Sequence, residues 1–273
     1  MKPERLQRLG LIGRQIGYSL SPLIHNTSSQ HLGIDAEYSL HDCASTEEVK
    51  FFLHNAWQNG STGFNVTQTW KKIFGDHSIN TLYRQPGATT WSMTSTDSEG
   101  FFAGARRIGC RRDKIRRVIF FGNGGAVDAI ASLLDIPLHC IVRDPLRQTP
   151  VPGRTFHPWS PAEFRSLLTA TTDDGTLIVQ ATPAPLSENS LSEFVPPLNA
   201  LRGRPNNWFV DLCYSRVSAL MEGARAAAIP SQDGLPMLIE QARSAQTIWW
   251  GKSAPYQLLE SACLAAITGP RQG

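Results

Sequence analysis

The feature that most constrains the fold of this chain is the segment 118–127, where an apolar run meets a glycine-rich turn. β-Branched and aromatic residues occupy its first four positions and favour a buried strand. Gly122 and Gly124 follow, and a strand, a glycine turn and a helix in this order are typical of a dinucleotide-binding βαβ unit. The same pattern also occurs as a tight turn that binds no ligand. Apolar residues recur at helical spacing after the turn, at Ala126, Val127, Ile130, Leu133 and Leu134.

Strand and helix patterns alternate along the rest of the chain. Further strands are predicted at residues 9–13, 36–40, 63–67, 88–93, 138–142, 176–181 and 208–212. Helices are predicted to begin near residues 22, 45, 125 and 236. This alternation predicts an α/β fold with βαβ units and a parallel sheet.

Composition narrows the class of protein. A length of 273 residues suggests one large or two medium domains, and a net charge of +3 is too small to indicate nucleic-acid binding. No apolar run approaches the roughly 18 residues of a membrane span, and the first residues lack the apolar core of a signal peptide. The five cysteines are scattered without a C-x-x-C pair, which indicates neither a zinc site nor a disulfide framework. We therefore expect a cytoplasmic protein without a metal that binds neither nucleic acid nor membrane.

Several polar residues lie where predicted elements begin or end. Ser19 and Ser21 precede a helix, where both hydroxyls could bind a small anion or one could simply cap the helix. Lys71 lies between a strand and a helix, and beside Lys72 its simplest interpretation is a solvated lysine. Gln241 lies on the apolar face of a C-terminal helix. Because a buried amide without partners costs about 1–3 kcal/mol, this glutamine meets either a polar ligand or the edge of the apolar stripe.

The loop after the strand at 138–142 bears on the choice of cofactor. In a dinucleotide fold this strand end lies beside the adenosine ribose, where arginines favour a 2′-phosphate and an acidic residue favours a free 2′-hydroxyl. Arg143 and Arg147 are four residues apart, close enough to clamp one phosphate, and Asp144 lies between them. Because of the two arginines we predict NADP as the cofactor. NAD is the alternative, which Asp144 favours. A basic surface loop is the alternative without a cofactor.

Taken together, the motifs resemble those of the shikimate dehydrogenase family over nearly the whole chain. Residues 17–22 resemble its S-x-S-P element, which implies that Ser19 and Ser21 bind the substrate carboxylate. The sequence from Gly63 to Lys71 resembles G-x-N-V-T-x-P-x-K, which implies that this lysine is catalytic. In the same motif, the threonine that lines the substrate pocket is Thr67 here.

Residues 95–97 resemble the N-T-D element of the family, whose aspartate pairs with the catalytic lysine. That role falls on Asp97, although this residue could also cap the following helix. A lysine ammonium can give a proton to a carbonyl oxygen during hydride addition, and a neighbouring carboxylate favours the charged lysine. The Lys71–Asp97 pair is therefore predicted to act in acid–base catalysis, with ketone reduction as the favoured direction.

The resemblance extends to the cofactor loop and to the C-terminal blocks. Residues 122–126 resemble G-x-G-G-A, and residues 142–147 resemble N-R-T with a later arginine. The implied cofactor-binding residues are Gly122, Asn123, Gly124, Gly125, Ala126, Arg143, Arg147, Thr182 and Gly234. The implied further substrate-binding residues are Thr89, Tyr214 and Gln241.

The sequence also departs from the family pattern. The proline of N-V-T-x-P-x-K is Thr69, the asparagine of N-T-D is Ser95, and the asparagine before the cofactor arginine is Val142. The asparagine of a G-A-x-N-T block is matched by Thr89 or is displaced, and a loop glycine is Pro185. Because several of these changes lie on the substrate side, they affect the identity of the substrate more than the fold or the cofactor.

The resemblance implies an α/β fold with two domains. Residues 1–97, completed by 236–273, would form an α/β substrate-binding domain to which the C-terminal helices return, and residues 98–235 a Rossmann-type NADP-binding domain. The implied reaction interconverts 3-dehydroshikimate and shikimate, or a close cyclic polyol acid, in the chorismate pathway of aromatic amino acid biosynthesis. The alternatives are an NAD-preferring quinate/shikimate dehydrogenase and a binding protein that keeps the fold without the chemistry. The chain is expected to act on a small cyclic carboxylic acid as a monomer or homodimer.

Overall fold

The computed structural model describes residues 6–75, 78–170, 175–182, 191–214 and 216–269. The chain divides into two compact units. Unit 1 comprises Met1–Gly100 and Ile239–Gly273, and unit 2 comprises Phe101–Leu238. The substrate-binding and NADP-binding roles of the two units remain predictions.

Unit 1 is built around a mixed five-stranded sheet with the strand order β2-β1-β3-β4-β5. The strands are β1 Gln7–Gly13, β2 Ala36–Asp42, β3 Gly63–Val66, β4 Thr81–Tyr83 and β5 Ser92–Thr94. The pairs β1–β2 and β1–β3 are parallel, whereas β3–β4 and β4–β5 are antiparallel. Because β1 and β3 run in the same direction, the loops that follow them leave the same edge of the sheet.

Both faces of this sheet are covered by apolar side chains. One face packs Ile12, Phe64 and Val66 against the helix Thr46–Gln58, and the other carries Leu9, Leu11 and Tyr38. The helices of this part of the chain are α1 Ser21–Leu32, α2 Thr46–Gln58 and α9 Tyr256–Thr268. The unit boundaries fall inside two further helices, α3 Asp97–Ala105 and α8 Leu235–Trp250.

Unit 2 contains a six-stranded sheet with the order β11-β10-β9-β6-β7-β8, in which every pair is parallel. The strands are β6 Arg117–Phe121, β7 Leu138–Val142, β8 Arg154–Pro158, β9 Thr176–Gln180, β10 Trp208–Asp211 and β11 Ser231–Gln232. The helices are α4 Gly125–Ala131, α5 Pro161–Thr169, α6 Val195–Leu198 and α7 Ala219–Ala226. Counted within the unit, this order is the 3-2-1-4-5-6 arrangement of a Rossmann fold. The predicted α/β class with a Rossmann-type sheet is therefore confirmed.

The order of the strands also locates a ligand-binding edge. Strand order reverses between β6 and β9, and ligands of open α/β sheets bind outside the carboxyl ends of the strands at such a point. Gly122 directly follows β6 and Ala181 directly follows β9. The glycine-rich turn is therefore placed where a dinucleotide would bind.

Three local predictions differ from the structure. β4 was not predicted, and the strand predicted at 88–93 is the shorter β5, because three-residue strands carry no usable periodicity. The helix after the glycine turn ends at Ala131, so Leu133 is 41% exposed instead of lying on a buried face.

None of the helices in the described ranges is long and apolar enough to cross a bilayer.

Candidate active site

A buried ion pair between Lys71 and Asp97 is the centre of the polar cluster in unit 1. Lys71 Nζ lies 2.5 Å from Asp97 Oδ2, and the two side chains are only 14% and 1% exposed. Lys71 follows β3 and a 3-10 turn, Gln68–Trp70, whose Trp70 is buried in the core. Asp97 is the first residue of α3. Because the pair is shielded from water, its charges interact more strongly with each other and with a ligand than they would on the surface.

Asn80 holds the second oxygen of this carboxylate. Its Nδ2 donates to Asp97 Oδ1 at 2.8 Å and to Thr96 Oγ1 at 3.1 Å. Its Oδ1 accepts from the Thr96 backbone N–H and from the Thr81 hydroxyl, both at 2.8 Å. These bonds leave the amide one orientation, so Asp97 is held from both sides.

The structure does not bring Thr89 to this cluster. Thr89 is exposed in the connection between β4 and β5, whereas Asn80 is buried beside Asp97. Thr89 therefore lies away from the ion pair, and of the two alternatives for the asparagine of the G-A-x-N-T block the structure favours a displaced one, Asn80, which Thr81 follows. The Asn-Thr dipeptide was the available signal, but Ser78 stands where the block has alanine, and the strand that follows Asn80 was not predicted.

Gln241 lies next to the same asparagine. Its Oε1 is 3.5 Å from Asn80 Nδ2, and within the described ranges its amide nitrogen makes no hydrogen bond. Gly100 makes this approach possible, because a Cβ at that position would lie 2.6 Å from the backbone nitrogen of Gln241. The glutamine therefore contributes a free N–H₂ group beside the ion pair.

Ser19 and Ser21 lie at the start of α1. The Ser19 hydroxyl donates to Ser21 Oγ at 3.2 Å, and the Ser21 backbone N–H donates to Ser19 Oγ at 3.2 Å. The N-cap position is Leu20, which has no capping side chain, and the first turn of α1 has no acidic residue. Two hydroxyls at a helix start of this kind suit a small anion such as a carboxylate.

Thr67 directly follows β3 and is half-buried. Its backbone N–H donates to Ile12 O at 3.0 Å, which ties the start of the turn before Lys71 to β1. The exposed Thr69 stands where the family motif has proline, and the 3-10 turn forms without that proline.

In unit 2, the glycine-rich turn has the conformation that its residues predict. Gly122 has φ +101°, which L side chains rarely adopt, and a Cβ there would lie 2.8 Å from Thr182 Cγ2. Gly124 is the N-cap of α4, which begins at Gly125 and includes Ala126. The Asn123 side chain donates to Gln148 Oε1 at 3.0 Å and accepts from Arg154. The side chains of Gln148 and Arg154 thus hold Asn123 in place, and no Cβ atom lies over the backbone at Gly122 and Gly124.

Arg143 and Arg147 do not have equivalent surroundings. Arg147 Nε lies 3.1 Å from Asp144 Oδ2, and both side chains are exposed. Arg143 is exposed too, but in the part of the chain that the structure describes it makes no ion pair. Arg143 is therefore the guanidinium that is available to a phosphate, while Asp144 competes for Arg147.

The other predicted residues of unit 2 lie at the carboxyl ends of its strands. Thr182 donates from its backbone and its hydroxyl to Gln180 Oε1, both at 2.8 Å. Tyr214 follows β10 and is half-buried. Gly234 directly precedes α8, and a Cβ there would lie 2.1 Å from Leu212 O, so only glycine fits. The predicted departure at Pro185 lies outside the described residues.

Asp211 is a buried carboxyl that sequence analysis did not single out as functional. It ends β10 and is 1% exposed. Burial raises the pKa of Asp211 to about 6, and hydrogen bonds from Ser218 and from the Cys213 backbone oppose that rise. The described residues contain no group of side chains that could hold a metal ion.

Comparison with known proteins agrees with these features. The model of the shikimate dehydrogenase substrate-binding domain matches residues 11–77. A shikimate dehydrogenase (NADP(+)) of Pelodictyon phaeoclathratiforme is 30% identical, over 95% of this chain and 97% of that protein. This chain belongs to the shikimate dehydrogenase family.

Solved structures of the shikimate dehydrogenase family show the same fold. The shikimate dehydrogenase of Aquifex aeolicus superimposes with a TM-score of 0.78 at 23% identity, over 96% of this chain and 99% of that one. The quinate dehydrogenase of Corynebacterium glutamicum, in complex with NAD, superimposes with a TM-score of 0.77 at 20% identity, over 96% of this chain and all of the other. At these identities the two structures support the fold, and the choice between their substrates must come from the residues of this chain.

Proposed function

We propose that this chain interconverts 3-dehydroshikimate and shikimate with NADP. The observation that carries the proposal is the buried Lys71–Asp97 pair, held by Asn80 and adjacent to the free amide of Gln241. A shielded ammonium beside a fixed carboxylate suits proton transfer to a carbonyl oxygen. The family relative named shikimate dehydrogenase (NADP(+)) supports the same reaction. We expect a cytoplasmic enzyme that acts as a monomer or homodimer.

In the reductive direction, Lys71 acts as the general acid. Its ammonium has three N–H donors, of which one is used by Asp97, so two remain for the ketone oxygen of the substrate. NADPH, when bound, supplies the hydride that reduces the carbonyl carbon. As the oxygen becomes a hydroxyl, one proton passes to it from Lys71 Nζ, and Asp97 keeps the lysine directed at that oxygen. In the oxidative direction the same proton returns to the lysine.

Other residues orient the substrate before proton transfer. Ser19 and Ser21 bind its carboxylate, as the uncapped start of α1 favours. Thr67, Tyr214 and Gln241 are the further residues proposed to contact the substrate, as the family resemblance implies. Holding the reacting atoms in this way lowers the barrier, because the substrate no longer has to find the reactive geometry by diffusion.

The residues of the glycine-rich turn fit a dinucleotide. Gly122 gives the turn its conformation, the absence of a Cβ atom at Gly124 leaves the backbone at the start of α4 accessible to a pyrophosphate, and Arg143 is available for a 2′-phosphate. Asn123, Gly125, Ala126, Thr182 and Gly234 complete the proposed cofactor residues.

The test is a steady-state assay of the purified protein with shikimate and quinate and with NADP and NAD. We expect NADP-dependent oxidation of shikimate. Lys71→Ala should lower turnover by about three orders of magnitude with little change in cofactor affinity, because general acid–base catalysis contributes about 10²–10⁴-fold. Lys72→Ala is the matched control and should keep normal turnover. Near-normal turnover of the Lys71 variant would remove the proposed mechanism.

A second candidate function is an NAD-preferring quinate/shikimate dehydrogenase. The ion pair between Asp144 and Arg147 favours it, because this aspartate withdraws one arginine from a 2′-phosphate and can accept from a free ribose hydroxyl. A higher kcat/KM with NAD and quinate in the same assay would establish this candidate. Cofactor binding without turnover of either acid would instead indicate a binding protein that has lost the chemistry.

A further inference from the structure

Tyr38 lies outside every motif that points to the active site, yet its hydroxyl is bonded into the polar cluster. The residue is on β2 and is 3% exposed. Its hydroxyl donates to Asn65 Oδ1 at 2.8 Å. Tyr38 is therefore linked directly to Asn65, a residue of β3.

His25 fixes the ring of this tyrosine. The two rings are stacked, with centroids 4.2 Å apart and planes inclined by 13°. Burial lowers the pKa of His25 to about 3, so the imidazole is neutral at physiological pH. The oxygen of the Asn65 amide accepts from the Tyr38 hydroxyl, and its nitrogen donates to Thr81 and Asn80.

From Asn65, hydrogen bonds continue in one direction to the ion pair. Asn65 Nδ2 donates to Thr81 Oγ1 and to Asn80 O, both at 3.1 Å. The Thr81 hydroxyl donates to Asn80 Oδ1 at 2.8 Å, and Asn80 Nδ2 donates to Asp97 Oδ1 at 2.8 Å. These hydrogen bonds run from Tyr38 to Asp97, and the Thr81 hydroxyl orients Asn80 together with the Thr96 backbone N–H.

We propose that Tyr38 is a positioning residue for the proton transfer at Lys71, acting through Asn65, Thr81 and Asn80. The inference rests on the proposed function, because it concerns the geometry of the same ion pair. Without the Tyr38 hydroxyl, Asn65 loses a donor to its amide oxygen, and its amide can rotate. The bond to Thr81 then weakens, and Asp97 is held less firmly against Lys71. The expected effect falls on turnover, since of these groups only the ion pair is proposed to contact the substrate.

Tyr38→Phe removes only the hydroxyl and keeps the ring stacked on His25. Tyr256→Phe is a matched control, because Tyr256 is also a buried tyrosine of unit 1 whose hydroxyl donates to a side chain, Glu260 Oε1, at 2.9 Å. We expect kcat of the Tyr38 variant to fall about tenfold, which corresponds to an activation barrier raised by about 1.4 kcal/mol. KM for shikimate should change less than threefold. The control should keep kcat within twofold even if its melting temperature falls equally.

Thr81→Val tests the series at a second point and serves if the Tyr38 variant folds poorly. It keeps the shape of the side chain and removes the hydroxyl between Asn65 and Asn80. If the series transmits the effect, the double variant Tyr38→Phe/Thr81→Val loses little more kcat than Thr81→Val alone, because the two changes interrupt one pathway. Independent sites would multiply their losses.

The outcomes separate this inference from the proposed function. If the wild-type protein oxidises shikimate and Tyr38→Phe has the same kcat as Tyr256→Phe, the inference is wrong and the function stands. A change in KM alone, or multiplicative losses in the double variant, also overturns it. If the wild-type protein turns over neither acid with either cofactor, the proposed function fails, and the positioning role fails with it.

Discussion

Asn80→Asp is the sharpest test of the geometry around the ion pair, because it changes one atom at the centre of it. The substitution replaces Nδ2, which lies 2.8 Å from Asp97 Oδ1, by a carboxylate oxygen of nearly the same size. At this distance and an effective dielectric constant of about 20, two full charges repel by about 6 kcal/mol. The protein avoids most of this repulsion if one carboxyl group keeps its proton.

The expected consequence is a pH-dependent loss of stability. A carboxyl introduced at position 80 has a pKa near 3.9 in the unfolded chain, and the neighbouring charge and burial raise it by about three units in the folded protein. A carboxyl group whose pKa is higher in the folded protein does not destabilise the fold below its pKa in the unfolded chain. It destabilises the fold increasingly as the pH rises to its pKa in the folded protein. Three units correspond to about 4 kcal/mol, so this additional destabilisation should develop between about pH 4 and pH 7.

Urea unfolding, followed by tryptophan fluorescence, measures this effect at pH 4.5, 6 and 8. Asn80→Leu is the control, since it also removes the amide but adds no titrating group. The difference in unfolding free energy between the two variants isolates the new charge, because all other titrations are common to both. A difference that stays constant from pH 4.5 to pH 8 would show that position 80 does not face the carboxylate of Asp97 and would refute the geometry described here.

Three further substitutions test other parts of the structure. Burial raises the pKa of Asp211 from 3.8 to about 6, so the free energy of unfolding of the wild type should fall by about 3 kcal/mol between about pH 4 and pH 6. Asp211→Asn should abolish this pH dependence in urea titrations. An unchanged pH dependence in the variant would contradict the assignment to Asp211. Asp144→Asn releases Arg147 and should raise the ratio of kcat/KM for NADP over NAD about threefold to tenfold, whereas a falling ratio would show that the ion pair assists phosphate binding. Gly100→Ala places a Cβ 2.6 Å from the backbone of Gln241 and should cost about 1–3 kcal/mol in unfolding free energy, with a raised KM; unchanged values would mean that α3 and α8 adjust freely.

The fold was accessible from the sequence where the local pattern was strong. The strand predicted at 138–142 has those bounds as β7, and the glycine turn at Gly122 follows β6 as predicted. Both are apolar segments with clear ends, so local residues suffice to define them. β8 and β11 were not predicted, because β8 contains charged and half-buried residues and β11 has only two residues.

The candidate site was only partly accessible, for a different reason. Lys71 and Asp97 lie in recognisable motifs, and the structure brings them into contact. Asn80 was missed and Thr89 was chosen in its place, because the position of an asparagine next to Asp97 depends on the antiparallel pairing of β4 with β5. Such a pairing is a contact between separate segments, and a single sequence carries little information about it when the strands are three residues long.

The one-way series of hydrogen bonds that ends at Asp97 also bears on how this protein could acquire new substrates. Turning the Asn80 amide by half a revolution would place its nitrogen against the Thr96 backbone N–H and its oxygen against the Asp97 carboxylate, so changes at this point of the series are seldom neutral. Laboratory evolution towards other ring acids should therefore begin at Thr69, which is exposed, or at Ser95, whose buried hydroxyl has no hydrogen-bond partner among the described residues. Both positions can vary without breaking the series.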